Sequence, residues 1–391
     1  MTPILQIENV GEPPTEAEVQ AFADGLVASL RDKDAAAYLA LVDWDAILEQ
    51  ATSVPESPVS RAGFTAGFKA TLAKPGGLFE QGCSILADGG SIVMLGMRDR
   101  EGRPWALFRL LPAGAGHAYQ EYRLARRPDG KVRAVDLFVH SSGERMVETI
   151  HRAYLPSAIQ ASRGRLASLV GKEDAMTKAR PQLKAMTQAS REGRFKEAIA
   201  LFDALPAEVR RSKVAQLVRL QAAQGAEDTE IYLAAINEMR AIFPNDPGID
   251  FISFDAYVLQ GDLPAAIASL ESLDRALGGD PYLRSLRATY LAKADRLDEA
   301  RDLARAAAEA EPGLAQIQVA RVTVSLLRRD PEETLVALRQ ARDLGHSGID
   351  QFAFLDGFAD FAKTPQYTTY QEETARMNLD AEKPAGDGPK G

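Results

Sequence analysis

The chain has 391 residues, 46% hydrophobic and 26% charged, which is ordinary for a globular protein and long enough for one domain plus a repeat array. Its net charge of −9, with no basic stripe, argues against nucleic acid as the partner. Cys83 stands alone, so no intramolecular disulfide forms. The start Met1-Thr2-Pro3-Ile4 lacks the features of a secretory signal, and no stretch approaches the roughly 20 apolar residues of a membrane span. The expectation is a cytoplasmic protein with no membrane partner.

Residues 1–14, with Gly11, Pro13 and Pro14, read as a flexible lead-in. Thr15 with Glu18 makes a capping pair, and Val19, Phe22, Leu26 and Leu30 recur at helical spacing, so a helix is predicted over about 16–31. A second helix is predicted over 35–42, and Trp44 to Leu48 extend it or start a short third. Pro55 and Pro58 break the chain; Phe64, Phe68 and Leu72 mark another helix, ended by Lys74-Pro75-Gly76-Gly77.

The period then turns strand-like over 79–86, 91–98, 105–111, 119–126 and 132–140. Asp88-Gly89-Gly90, Asp99-Arg100-Glu101-Gly102, Gly114-Ala115-Gly116 and Pro128-Asp129-Gly130 separate these runs, as in an antiparallel meander. A closing helix is predicted over 144–155. Helices first and a meander after is an α+β plan. In element order, residues 15–155 resemble the nuclear transport factor 2-like α+β cone. That resemblance implies a curved sheet around helices, and either a pocket or a surface for homodimer or partner binding. A polar connector is expected over 156–180.

Beyond it a six-residue phrase recurs between helical patterns. Gly193-Arg194-Phe195-Lys196-Glu197-Ala198, Gly261-Asp262-Leu263-Pro264-Ala265-Ala266, Asp295-Arg296-Leu297-Asp298-Glu299-Ala300 and Arg329-Asp330-Pro331-Glu332-Glu333-Thr334 start 68, 34 and 34 residues apart. The skipped position falls on Glu227, where Gly225 lies two residues early and the turn is expected to be shifted. Such a period marks stacked helix pairs. Seven positions ahead of each turn stand Met186, Leu220, Phe254, Ala288 and Val322; five after it stand Ala198, Tyr232, Ala266, Ala300 and Thr334. With Pro244 and Pro312 seventeen after two of the turns, residues about 176–345 resemble the tetratricopeptide (TPR) repeat family. The resemblance implies an all-α right-handed helical solenoid of five helix pairs over 181–345. Phe352, Phe354, Leu355, Phe358, Phe361, Tyr367 and Tyr370 suit a capping segment over 346–375, and 376–391 reads as a disordered tail.

No catalytic motif appears. His117, His140, His151 and His346 have no metal-ligand spacing with each other or with Cys83. No phosphate loop, dinucleotide loop or nucleophile elbow occurs, so no cofactor or metal is expected. Trp44 and Trp105 read as core. Strand alternation puts Asp136 and His140 on one face, where Tyr119, Glu121 and Arg123 of the neighbouring strand would join them in an acid/base pocket. For the array, the resemblance implies a concave groove lined by Leu183, Thr187, Arg191, Leu217, Gln221, Phe251, Asp255, Leu259, Tyr282, Ser285, Thr289 and Lys293. Leu183, Leu217 and Phe251 fill places where lysine would clamp a C-terminal carboxylate, so an extended or helical peptide suits better. The favoured reading is a non-enzymatic adaptor that binds a protein or peptide. The alternative is a small-molecule or isomerase/dehydratase-like pocket in the N-terminal cone.

Overall fold

A computed structural model describes residues 13–53, 58–72, 77–100, 102–113, 116–161, 175–244, 246–346 and 348–381. Most of the lead-in, the breaks at Pro55 and Lys74-Pro75-Gly76, the Gly114-Ala115 turn, the middle of the connector and the last ten residues of the tail lie outside them. By contact the chain divides into two compact units, Met1–Ile252 and Ser253–Gly391.

The first unit opens with five helices: α1 (Glu16–Arg31), α2 (Ala35–Ala40), α3 (Trp44–Ala51), α4 (Pro58–Leu72) and α5 (Leu78–Ala87). The Thr15–Glu18 pair forms a complete capping box at the start of α1. The sheet follows as β1 (Ser91–Asp99), β2 (Pro104–Leu111), β3 (Ala118–Arg126), β4 (Val132–Val139) and β5 (Glu144–Arg145), antiparallel and in chain order. The run 79–86, expected as a strand, is the helix α5. Gly82 sits against Leu30 of α1, where an added Cβ would lie 2.8 Å from Leu30 Cδ2, and Cys83 is buried beside it. Phe79, Gly82, Cys83 and Leu86 lie at helical spacing on the side that packs, and Glu80, Gln81 and Ser84 are exposed, so the period of this run is helical. The closing helix α6 runs Met146–Ala161, because Glu144 and Arg145 pair with β4 first.

One sheet face carries the core. Ala106, Phe108 and Leu110 of β2, Tyr122 and Leu124 of β3, and Ala134 and Leu137 of β4 pack with Phe22, Leu26, Leu30, Tyr38 and Ile47 of the helices. The Phe108 and Tyr122 rings meet edge-on at 5.3 Å, with Phe22 against both. The opposite face holds Tyr119, Glu121 and Arg123, and across the register Leu107, Phe138 and Asp136.

Paired helices follow. After a short α7 (Ala175–Lys178) come α8 (Arg180–Arg191) with α9 (Phe195–Asp203), a single turn α10 (Ala207–Arg210), and α11 (Lys213–Gly225) with α12 (Thr229–Ile242). Helix α13 (Pro247–Leu259) contains the division between the units and precedes α14 (Leu263–Ala276). The second unit continues with α15 (Pro281–Lys293) and α16 (Leu297–Ala310), then α17 (Ala315–Leu327) and α18 (Pro331–Asp343). Among the described residues of 181–345 every regular element is a helix.

The recurring phrase has one conformation throughout. Gly193, Glu227, Gly261, Asp295 and Arg329 are all left-handed, with φ of 74°, 55°, 70°, 60° and 58°. In each turn the next residue's N–H donates to the carbonyl five residues back: Arg194 to Ala189, Asp228 to Ala223, Asp262 to Tyr257, Arg296 to Leu291 and Asp330 to Ser325, at 2.8–3.0 Å. The second turn is therefore not shifted. Gly225 is there for another reason: an added Cβ would stand 2.4 Å from the Phe195 ring. The fifth pair departs from alanine at Thr334, whose buried hydroxyl lies 2.9 Å from Ser325 Oγ and 2.7 Å from the Asp330 carbonyl.

Past the last pair, a 3-10 turn (Ile349–Phe352), α19 (Phe358–Phe361) and α20 (Pro365–Ala381) bury Phe352, Phe361 and Tyr370 against Val322, Leu326, Leu335 and Leu338. Helix α20 continues past 375, so the first residues of the expected tail are helical. Arg339 and Arg342 reach Glu373 from α18 and tie it down.

Candidate functional site

The five pocket candidates converge, but on the sheet face turned away from the helical core. Tyr119, Glu121, Arg123, Asp136 and His140 are 0%, 0%, 2%, 0% and 8% exposed. His140 Nε2 lies 2.8 Å from Glu121 Oε1, so the histidine pairs with Glu121 and not with Asp136. Arg100 Nε lies 3.2 Å from the other Glu121 oxygen, and Arg98 Nη1 lies 3.5 Å from the first. Burial alone would raise the Glu121 carboxyl; the His140 hydrogen bond and the Arg100 and Arg98 guanidiniums outweigh it and hold it below the usual carboxylate range. Arg100 also lies over the Phe138 ring, 3.9 Å from its centroid.

Asp136 does different work. Its Oδ1 accepts from the Leu137 N–H at 2.9 Å and the Val147 N–H at 3.3 Å, which anchors the first turn of α6. Burial pushes its carboxyl up to about 6, against the pull of the Leu137 amide and Arg145. The face is thus a buried ion-pair layer. An ionised carboxylate held by guanidiniums is a poor proton acceptor, and these five side chains have almost no contact with solvent. Arg98, Arg100 and Arg145 belong to the same layer and were not among the candidates. The register Arg98–Trp105–Arg123–Asp136 across four strands places the first of them, and only strand pairing reveals it. Trp105 is buried, as expected. Among the described residues no group of three or more His, Cys, Asp or Glu is placed to hold a metal, and no helix is long and apolar enough to cross a membrane.

The groove candidates are mixed in their exposure. In the first unit Arg191 and Gln221 are exposed, and Leu183, Thr187 and Leu217 are half-buried. The Leu183 side chain joins the core of the first pair, and the Thr187 hydroxyl donates to the Leu183 carbonyl at 2.8 Å. Phe251 packs on the sheet: its ring lies 5.2 Å from His117 and 6.1 Å from Tyr119. Around it the β4–β5 turn meets α13, and Lys213 of α11 bridges Asp246 and Glu144. In the second unit Leu259 is 50% exposed, and Asp255 and Lys293 are exposed. Lys293 lies 5.2 Å from the Tyr290 ring centroid, and Tyr290 stacks edge-on against Phe254. Tyr282 and Thr289 are half-buried. Ser285 is buried, and its hydroxyl donates to the Tyr282 carbonyl at 2.7 Å, so it offers little to a ligand.

By its own elements the chain is an α+β region followed by paired helices on a fixed repeat. No protein-family model matches it, and no curated protein matches it. Among solved structures it is similar to MamA AMB-1, with 17% identity over 45% of this chain and 96% of that one, at a TM-score of 0.36. A mutant of MamA gives 17% identity over 44% of this chain and 94% of that one, with the same TM-score.

Proposed function

We propose that the protein is a non-enzymatic adaptor whose helix pairs stack as a TPR-like right-handed solenoid and bind a protein or peptide partner through the faces of the first helices. The observation that supports this reading most is the left-handed turn and its bond repeated at all five phrase positions, because identical turns give identical hairpins. Within the second unit, hairpins repeated in this way set their first helices side by side as a ligand face. Leu259, half open to solvent, and Lys293, exposed over the Tyr290 ring, supply the apolar and charged contacts such a ligand needs. The chemistry of the sheet face points the same way, since its carboxylates are committed to guanidiniums and backbone amides.

The test uses the full chain, immobilised and challenged with lysate of its own cells. A protein retained by the wild type and by an outer-helix variant, Arg301→Glu, but lost by L259R/K293E, supports the groove. Retention that ignores L259R/K293E refutes it.

A further inference from the structure

Helix α4 covers an aromatic cluster that neither the sheet layer nor the groove uses. Its Phe64 and Phe68 lie one helical turn apart on one face. Phe68 meets Trp44 of α3 at 6.0 Å between centroids, and Phe64 meets Tyr154 of α6 at 4.9 Å, both tilted rather than stacked. Trp44 Nε1 and Tyr154 Oη are buried, and among the described residues no group bonds to either; the Tyr154 side chain is fully buried. Two orphaned hydrogen-bonding groups under the same helix face call for an explanation, because a buried donor left unpaired loses its bonds to water and gains none in return.

Helix α4 packs through Phe64 and Phe68 on the edge of the N-terminal core. Among the described residues its ion pairs, Lys69 with Asp45 and Arg61 with Glu49 at 3.9 Å, are both largely exposed. Its outer side, Ala62, Gly63, Ala66, Gly67 and Ala70, is open to solvent, and nothing lies within 4 Å of a Cβ added at Gly63 or Gly67. Beneath it the scaffold is firm, since His151 Nδ1 bonds the Ala51 carbonyl at 2.8 Å and fastens α6 to α3. A small outward shift of α4 would open a slot between its two phenylalanines and the Trp44 and Tyr154 rings.

We propose that this slot binds a small, uncharged, planar molecule carrying a carbonyl-type acceptor. Four aromatic rings select a flat apolar body. The indole N–H donates only, and the phenol O–H can donate as well, so an acceptor oxygen satisfies either. The ligand is uncharged because the nearby ions, Asp45 with Lys69 and Glu49 with Arg61, are already paired to each other at the rim. The site is independent of the groove, and either can fail without the other.

The test titrates prodan, a neutral naphthyl ketone fluorophore, into the full chain. Saturable binding with blue-shifted emission is expected. Tyr154→Phe, which removes one oxygen, and Trp44→Phe should each weaken it about five- to tenfold, the worth of one hydrogen bond. Phe354→Ser, which removes an 81% exposed ring in the other unit, should leave it unchanged. No saturable binding, wild-type binding by both site variants, or loss of binding in the Phe354 variant overturns the proposal. If Trp44→Phe fails to fold, Tyr154→Phe decides alone.

Discussion

Gly143 and Gly248 meet backbone to backbone. A Cβ added to Gly248 would stand 2.5 Å from the Gly143 nitrogen, and one added to Gly143 would stand 2.7 Å from the Gly248 nitrogen. Gly143 is also left-handed, with φ of 62°. The β4–β5 turn therefore touches the first turn of α13 where no side chain fits. Gly248→Ala should cost about 2 kcal/mol in urea unfolding, as overpacking against rigid backbone does. A neutral result would mean that this contact is not made in solution.

Gly225 and Phe195 form a tighter test of the first two helix pairs. Gly225→Ala forces a methyl into the Phe195 ring, and about 1–3 kcal/mol of destabilisation is expected. Phe195→Ala alone costs stability through lost burial. In the double variant the two costs should add to less than their sum, because the clash is gone. Simple additivity, measured by chemical denaturation, would contradict the geometry.

The left-handed turns predict stabilisation as well. Glu227, Asp295 and Arg329 hold φ of 55–60° with a side chain attached. Replacing each by glycine should raise stability by about 0.5–1 kcal/mol, whereas Gly193→Ala or Gly261→Ala should lower it by a similar amount. The ranking of melting temperatures within this set checks it.

Asp136 predicts a pH signature. Its folded carboxyl titrates at about 6, above its unfolded value of about 3.9, so the native state holds the proton more tightly. Its contribution to stability is present at low pH and is lost as pH rises from about 4 to 6. Asp136→Asn keeps an acceptor for the Leu137 and Val147 amides and removes the titration. The variant should match the wild type near pH 4 and exceed it by roughly 2 kcal/mol above pH 6. A difference that does not change with pH would refute the assignment.

Much of this was legible beforehand, for reasons that differ by region. The Thr15–Glu18 box and the five turns are local, and local geometry is written in neighbouring residues. The strands of 91–139 were separable because glycine and aspartate turns punctuate them. Helix α5 was misread: Phe79, Gly82, Cys83 and Leu86 recur at helical spacing, with Glu80, Gln81 and Ser84 exposed on the other side, and Gly82 packs on Leu30. Alternation did put Asp136 and His140 together with Glu121, yet it carries no information on which face the helices cover. The β3 strand is buried on both faces, so its polar row reads like a pocket wall when it is an ion-pair layer. Trp44 and Tyr154 lie far apart in the chain, and only the tertiary fold brings both under α4.

Hydrogen exchange on the full chain with and without its captured partner tests the central claim most directly. The account predicts added protection in the first helices, above all Ser253–Leu259 and Pro281–Lys293, and none in Leu297–Ala310. Protection confined to the second helices, or to the sheet strands alone, would contradict it.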